Sequence, residues 1–124
     1  MIKYFVDALL KRQGLQERFE TEATVHWRFT LPAHPDLVII KEGDEVIVGT
    51  AKPGCRDETL APQIRYSLDR NWLPLQYVPK ESDSVTCNQD DLWERDILIE
   101  VLRFDEGWAQ RLEAAGYLDA AVSS

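Results

Sequence analysis

Apolar residues at the start of the chain recur with the spacing of an amphipathic helix. They follow the i, i+3, i+4, i+7 pattern that places side chains on one helical face. Gly14 comes next, where such a helix would stop. We therefore expect a helix over residues 2–13, whose apolar face is formed by Ile2, Phe5, Val6, Leu9 and Leu10.

The middle of the chain carries the alternating pattern of β-strands. Apolar and polar residues alternate there with a period of two, and β-branched and aromatic residues are frequent. Gly43 and Asp44 form a turn signal between two apolar runs, which predicts a hairpin. The predicted β core covers about residues 21–79, and its strand segments are Thr21–Leu31, Leu37–Ala51, Leu60–Leu68 and Trp72–Val78.

The last third of the chain returns to helical spacing, over about residues 90–118. Gly107 interrupts this pattern, so we expect two helical pieces followed by a fraying tail from Asp119. The predicted fold class is α+β. It is a single domain over residues 1–124, with a small, strongly bent antiparallel sheet, a partial barrel, between an N-terminal and a C-terminal helix.

The charge of the chain narrows the class of partner. The 124 residues include 14 Lys and Arg against 22 Asp and Glu, a formal net charge of −8. Such a chain repels phosphate backbones, so we expect no nucleic-acid partner, whereas divalent cations or a basic protein surface suit it. The sequence has neither a signal peptide nor an apolar run of membrane-spanning length, which predicts a cytoplasmic protein without a membrane partner.

Catalytic motifs are weak in this sequence. Asp36, a hairpin and then Lys52 resemble part of the restriction-endonuclease pattern, but Thr50 stands where the second metal-binding carboxylate belongs. No nucleophile elbow or phosphate-binding Gly-rich loop is present. Cys55 and Cys87 lack the companions of a zinc site, and free thiols or one disulfide both fit them. We predict a protein that is not an enzyme, with a degenerate nuclease-like domain as an alternative.

Carboxylates concentrate at the predicted turns. Calcium takes about 6 to 8 oxygen ligands, which turns from different strands can supply together if they meet at one rim of a barrel. These acidic pairs are Asp44 with Glu45, Asp57 with Glu58, and Glu81 with Asp83.

The central half of the chain also resembles the CcbP-type calcium-binding proteins of cyanobacteria. The resemblance rests on the run Gly43 to Val46, on Cys55 with Glu58, and on three later motifs: Ile64 with Tyr66, Pro74 with Leu75, and Trp93 after an acidic stretch. It implies an SH3-like barrel and calcium binding through surface carboxylates. The matching positions are Asp44, Glu45, Glu58, Glu81 and Asp83, and Asp57 joins them by adjacency.

The leading functional hypothesis is therefore an acidic Ca²⁺-binding protein that acts as a buffer or a signalling sensor. An alternative is a protein-interaction module whose acidic face docks a basic partner. In that case the aromatic anchors would be Trp72, Tyr77 and Trp93, although a core position is the competing interpretation of Trp72.

Overall fold

A computed structural model describes the backbone of residues 1–51, 60, 62–80, 83–86 and 95–123. Its helices are α1 (Ile2–Gln13), α2 (Gln16–Thr21) and α3 (Arg95–Ala115), and a 3₁₀ turn follows at Tyr117–Asp119. Its strands are β1 (Thr24–Thr30), β2 (Asp36–Glu42), β3 (Glu45–Ala51), β4 (Gln63–Ser67), β5 (Leu73–Lys80), β6 (Asp83–Thr86) and β7 (Ala121–Ser123).

The described strands form one antiparallel sheet in the order β6-β5-β4-β3-β2-β1-β7. Strands β1 to β6 follow one another as a meander, and only β7 returns from a distant part of the sequence to join β1. The α+β class and the antiparallel sheet are thus confirmed. The sheet is open, with β6 and β7 at its two edges, so closure into a partial barrel is not confirmed.

The hydrophobic core lies between one face of the sheet and the helices α1 and α3. Alternate residues of β1 to β5 point into it, because successive side chains of a strand face opposite sides. The predicted apolar face of α1 is fully buried here, and its bounds match the predicted helix. Helix α3 contributes its own stripe to the same core: Val101, Trp108, Ala109 and Leu112.

Helix α2 was not predicted, and it delays the start of the first strand from Thr21 to Thr24. Its single buried side chain is Phe19, too little to produce a periodic signal. Lys41 of β2 holds the end of this helix, since its ammonium donates hydrogen bonds to the carbonyls of Phe19 (2.5 Å) and Glu22 (2.9 Å). A cation at a helix C-terminus is also favoured by the helix dipole.

The prediction of two C-terminal helical pieces is wrong. Helix α3 runs through Gly107 without interruption for 21 residues. A glycine in a helix costs only about 1 kcal/mol relative to alanine, and burial of the flanking Phe104 and Trp108 against the core outweighs that cost. Residues 90–94 of the predicted helical region lie outside the described residues.

The sheet extends further than predicted at both of its edges. The segment after Val78 was predicted to end the strand, yet β5 reaches Lys80 and β6 pairs with it. The predicted fraying tail is wrong as well, because Ala121–Ser123 forms β7 against β1. These short strands carry little periodicity of their own, and their pairing partners lie in other segments.

A buried carboxylate joins three elements of the core. Asp105 of α3 is only 2% exposed, and it accepts hydrogen bonds from the backbone N–H of Ile2 (3.0 Å) and the hydroxyl of Tyr66 (2.6 Å). Ile2 begins α1 and Tyr66 lies in β4. Burial, followed by the charge and hydrogen bond of Asp105, raises the pKa of Tyr66 well above its usual value.

Two glycine substitutions are expected to act in opposite directions. A Cβ on Gly49 would meet the Cβ atoms of Leu60 (2.8 Å) and Gln63 (2.9 Å), so Gly49→Ala should lower the free energy of unfolding by about 1 to 3 kcal/mol. A Cβ on Gly107 meets only the flexible end of Arg111, at 3.2 Å, so Gly107→Ala should raise it by about 0.5 to 1 kcal/mol. Urea unfolding measures both, and equal effects would contradict the close approach at Gly49.

Alkaline pH should destabilise the fold through Tyr66. The unfolded chain loses the phenolic proton near about pH 10 while the folded chain retains it. The free energy of unfolding should therefore fall as the pH rises above about 10, and Tyr66→Phe should reduce that slope by up to about 1.4 kcal/mol per pH unit. Tyr4→Phe is the matched control, because Tyr4 is 65% exposed. Equal slopes for the two variants would contradict the burial of a neutral Tyr66.

Candidate functional site

Two acidic turns meet at one end of the sheet. In a meander, alternate connections lie at the same end, so the β2–β3 turn at Gly43 and Asp44 lies beside the β4–β5 connection at residues 68–72. A hydrogen bond from the backbone N–H of Leu68 to the carbonyl of Asp44 (2.7 Å) joins them. We call the two turns together the acidic turn pair.

The carboxyl groups of Asp44 and Asp69 are close enough in this turn pair to interact directly. The charge of Asp44 is the largest cause that raises the pKa of Asp69. Desolvation and a hydrogen bond between the two side chains add to it, and Arg70 opposes it. Both residues are exposed. Two neighbouring carboxylates repel each other, and a shared proton or a bound cation would relieve that repulsion.

The connection that carries Asp69 has an unusual backbone. Asn71 (φ 55°) and Trp72 (φ 63°) are both left-handed, a conformation that a bulky residue rarely adopts. The Trp72 ring packs against Phe19 and Tyr66, with ring centroids 6.4 and 5.3 Å apart. The Lys3 ammonium donates a hydrogen bond to the Asn71 side chain at 2.7 Å. These contacts hold Asp69 next to Asp44.

Among the predicted metal ligands, only Asp44 and Glu45 have side chains within the described residues at this turn. The Glu45 carboxylate accepts a hydrogen bond from Arg65 at 3.0 Å, which competes with a cation for its oxygens. Where the chain is described, no three His, Cys, Asp or Glu side chains group as a metal site would require. The pair formed by Asp44 and Asp69 is therefore the nucleus of the candidate site.

Of the other predicted ligands, three lie outside the described residues and the fourth belongs to a different strand end. Asp57, Glu58 and Glu81 lie outside the described residues, as do Cys55 and Cys87. The backbone of Asp83 begins β6 opposite Lys80, at the far end of the sheet from Asp44. Their convergence at one rim stays a prediction for the first three ligands, and the sheet separates Asp83 from Asp44.

The predicted aromatic anchors occupy different surroundings. Trp72 (8% exposed) and Tyr77 (6%) belong to the hydrophobic core, so neither presents its ring to a partner. Tyr77 packs against Phe104 of α3 at a centroid distance of 5.0 Å. Trp93 lies outside the described residues.

Asp36, the potential metal ligand of a nuclease-like site, is already paired. Its carboxylate accepts a hydrogen bond from Nε of Arg28 at 2.5 Å, and its side chain is 5% exposed. An ion pair buried to this extent is costly to break, because it would leave an uncompensated charge in the protein. Lys52 lies outside the described residues.

Comparisons with known proteins do not identify a family for this chain. No protein-family model, curated protein or solved structure matches the sequence. The resemblance to the CcbP-type family therefore stays a prediction. None of the helices in the described parts of the chain has the length and hydropathy needed to cross a membrane.

Sequence reasoning missed Asp69, although a signal for it existed. Four strands predicted in succession favour a meander, and a meander places alternate turns at the same end of the sheet. The acidic turn at Asp44 and the turn that contains Asp69 are two connections apart. Their proximity follows from the topology of the meander, whereas the predicted cation site depends on turns that meet at a barrel rim.

Removal of the Asp69 charge should stabilise the protein at neutral pH. The pKa of Asp69 is higher in the folded protein than its ordinary value of 3.8, so the protonated carboxyl group stabilises the fold below about pH 3.8. That contribution is lost as the pH rises through the raised pKa. Asp69→Asn should therefore unfold at higher urea than the wild type at neutral pH, and the difference should shrink in acid. Glu113→Gln, which changes an exposed carboxylate of α3, is the control. An equal gain from both variants would contradict a specific repulsion.

Proposed function

We propose that this protein is a non-enzymatic Ca²⁺-binding protein, a buffer or a sensor, whose binding site is centred on Asp44 and Asp69. The observation that carries the proposal is the contact between two acidic turns, where the backbone N–H of Leu68 donates a hydrogen bond to the carbonyl of Asp44 and the next residue, Asp69, supplies a second exposed carboxylate. A divalent cation between them would replace repulsion by attraction to both.

The donor set suits a hard cation. Calcium prefers oxygen ligands from carboxylates, backbone carbonyls and water, at about 2.3 to 2.6 Å. The acidic turn pair supplies two carboxylates, and backbone carbonyls and water would complete the coordination. With so few charged ligands we expect a dissociation constant of about 1 mM, as in low-affinity modules.

Two further observations support calcium. The net charge of −8 raises the local concentration of cations at the surface. Asp44 also belongs to the Gly43–Val46 run that resembles the CcbP-type family, so the geometry and the resemblance favour the same residue. Asp57, Glu58 and Glu81 remain predicted ligands.

The alternatives have less support. A basic protein partner would use the same acidic surface, but two of its three predicted anchors are buried. A nuclease-like site would need Asp36, whose carboxylate is held by Arg28. Calcium binding is therefore the function that these residues support best.

Thermal unfolding with and without calcium tests the proposal. At about 10 mM Ca²⁺ and a dissociation constant of about 1 mM, the folded state gains about 1.4 kcal/mol, which corresponds to a rise in Tm of about 5 °C. Asp44→Asn and Asp69→Asn should each abolish most of that rise, because each removes one of the two carboxylates.

Matched conditions separate binding from general screening. Mg²⁺ at the same concentration should stabilise less, since it needs a tighter octahedral geometry than two exposed turns offer. Glu113→Gln should respond to Ca²⁺ as the wild type does. If Mg²⁺ stabilises equally, or if the Asp69→Asn protein keeps the full response, the proposed site is wrong.

A further inference from the structure

A second candidate site lies at the opposite end of the sheet. A groove of about 380 Å³ opens where the C-terminal half of α3 crosses the end of β3 and the start of β2. This volume lies within the range of about 300 to 1,000 Å³ that is common for small-molecule sites. The acidic turn pair is six residues away along β2, which corresponds to about 20 Å.

The floor of the groove is apolar and aromatic. Trp108 (4% exposed), Leu112 (5%) and Tyr117 (2%) line it, together with the buried Thr50. The Tyr117 hydroxyl donates a hydrogen bond to the carbonyl of Pro35, which fixes the ring. Burial, and secondarily the charge of Asp36, raise the pKa of Tyr117, so its phenol stays neutral.

The rim of the groove carries two side chains that donate hydrogen bonds, an imidazole and a guanidinium. His34 and Arg111 are both exposed and both line the groove. The imidazole of His34 packs edge-on to Tyr117, with centroids 6.1 Å apart. The guanidinium of Arg111 lies 5.7 Å from the centroid of Phe104.

Arg111 differs from most of the other arginines whose side chains the structure describes. Among the described residues it forms no ion pair with a carboxylate. Four other arginines are paired in this way: Arg12 with Asp119, Arg18 with Glu22, Arg28 with Asp36, and Arg65 with Glu45. A planar guanidinium that pairs with no carboxylate of the described residues, beside an apolar floor, is suited to a carboxylate ligand, which it can bind through two parallel hydrogen bonds.

We propose that this groove binds a small aromatic carboxylate, with the carboxylate on Arg111 and His34 and the ring against Trp108 and Leu112. Either protonation state of His34 can donate a hydrogen bond to such a group. The apolar floor would contact the aromatic ring of the ligand, and the polar rim would bind its carboxylate. An open groove of this size gives modest affinity, on the order of 1 mM for a single-ring acid.

Three probes test this proposal on the whole chain by amide and indole NMR shifts. Benzoate should perturb the Trp108 indole N–H and the backbone amides of Arg111 and Tyr117, with saturation. Benzamide, which lacks the charge, and acetate, which lacks the ring, should each bind at least about tenfold more weakly, since each lacks one of the two contacts. Equal binding of benzamide and benzoate would overturn the role assigned to Arg111.

A matched pair of variants locates the carboxylate. Arg111→Gln should weaken benzoate about tenfold and leave benzamide unchanged. Arg103→Gln, which removes an exposed arginine from the same helix outside the groove, should bind benzoate like the wild type. Equal losses in the two variants would show that benzoate follows net charge alone, which would overturn the proposal. The absence of saturable shifts with wild-type protein would overturn it as well.

The proposal for the groove and the proposal for the calcium site can be tested independently of each other. Asp69→Asn changes a residue at the far end of the sheet and should retain full benzoate binding. Loss of benzoate binding in that variant would overturn the assignment of the ligand to the groove, whatever the outcome with calcium.

Discussion

The hydrogen bonds to Asp105 are the constraint on which the arrangement of helices and sheet depends. A buried carboxylate is costly unless its oxygens are satisfied, and here one accepts from the N–H of Ile2 and the other from Tyr66. Because the acceptor lies on α3 and the donors on α1 and β4, these bonds fix the position of α3 along the sheet. That position decides where Trp108 and Arg111 stand, and therefore where the groove opens.

The same hydrogen-bonded group supports the acidic turn pair through aromatic packing. Tyr66, held by Asp105, packs against Trp72, whose backbone is left-handed. Such a conformation costs about 1 to 3 kcal/mol and persists only where its surroundings impose it. The packing of Trp72 against Tyr66 and Phe19 supplies that support and shapes the connection that presents Asp69. The burial of Trp72 thus explains why it is no surface anchor, and it contributes to the site as a positioning residue.

Elements whose residues carry a local periodic pattern could be predicted from the sequence. The stripe of α1 and the hairpin around Gly43 each carry a complete signal within a few turns or strands, and both match the structure. Helix α2 has one buried residue, and β7 has none, so neither has a pattern to detect. Gly107 misled because its local propensity opposes a helix that tertiary burial stabilises. The two candidate sites could not be predicted from local patterns for a further reason. Each depends on a pair of residues, Asp44 with Asp69 and His34 with Arg111, that come together only when distant elements become neighbours.

The distribution of charge at the two ends of the sheet bears on how the sites would act together. The acidic turn pair presents the carboxylates of Asp44 and Asp69, and the groove presents His34 and Arg111 within a chain of net charge −8. Their separation of about 20 Å exceeds the Debye length of about 8 Å at physiological ionic strength, so direct electrostatic coupling is largely screened. The two candidate sites are therefore expected to act independently of each other.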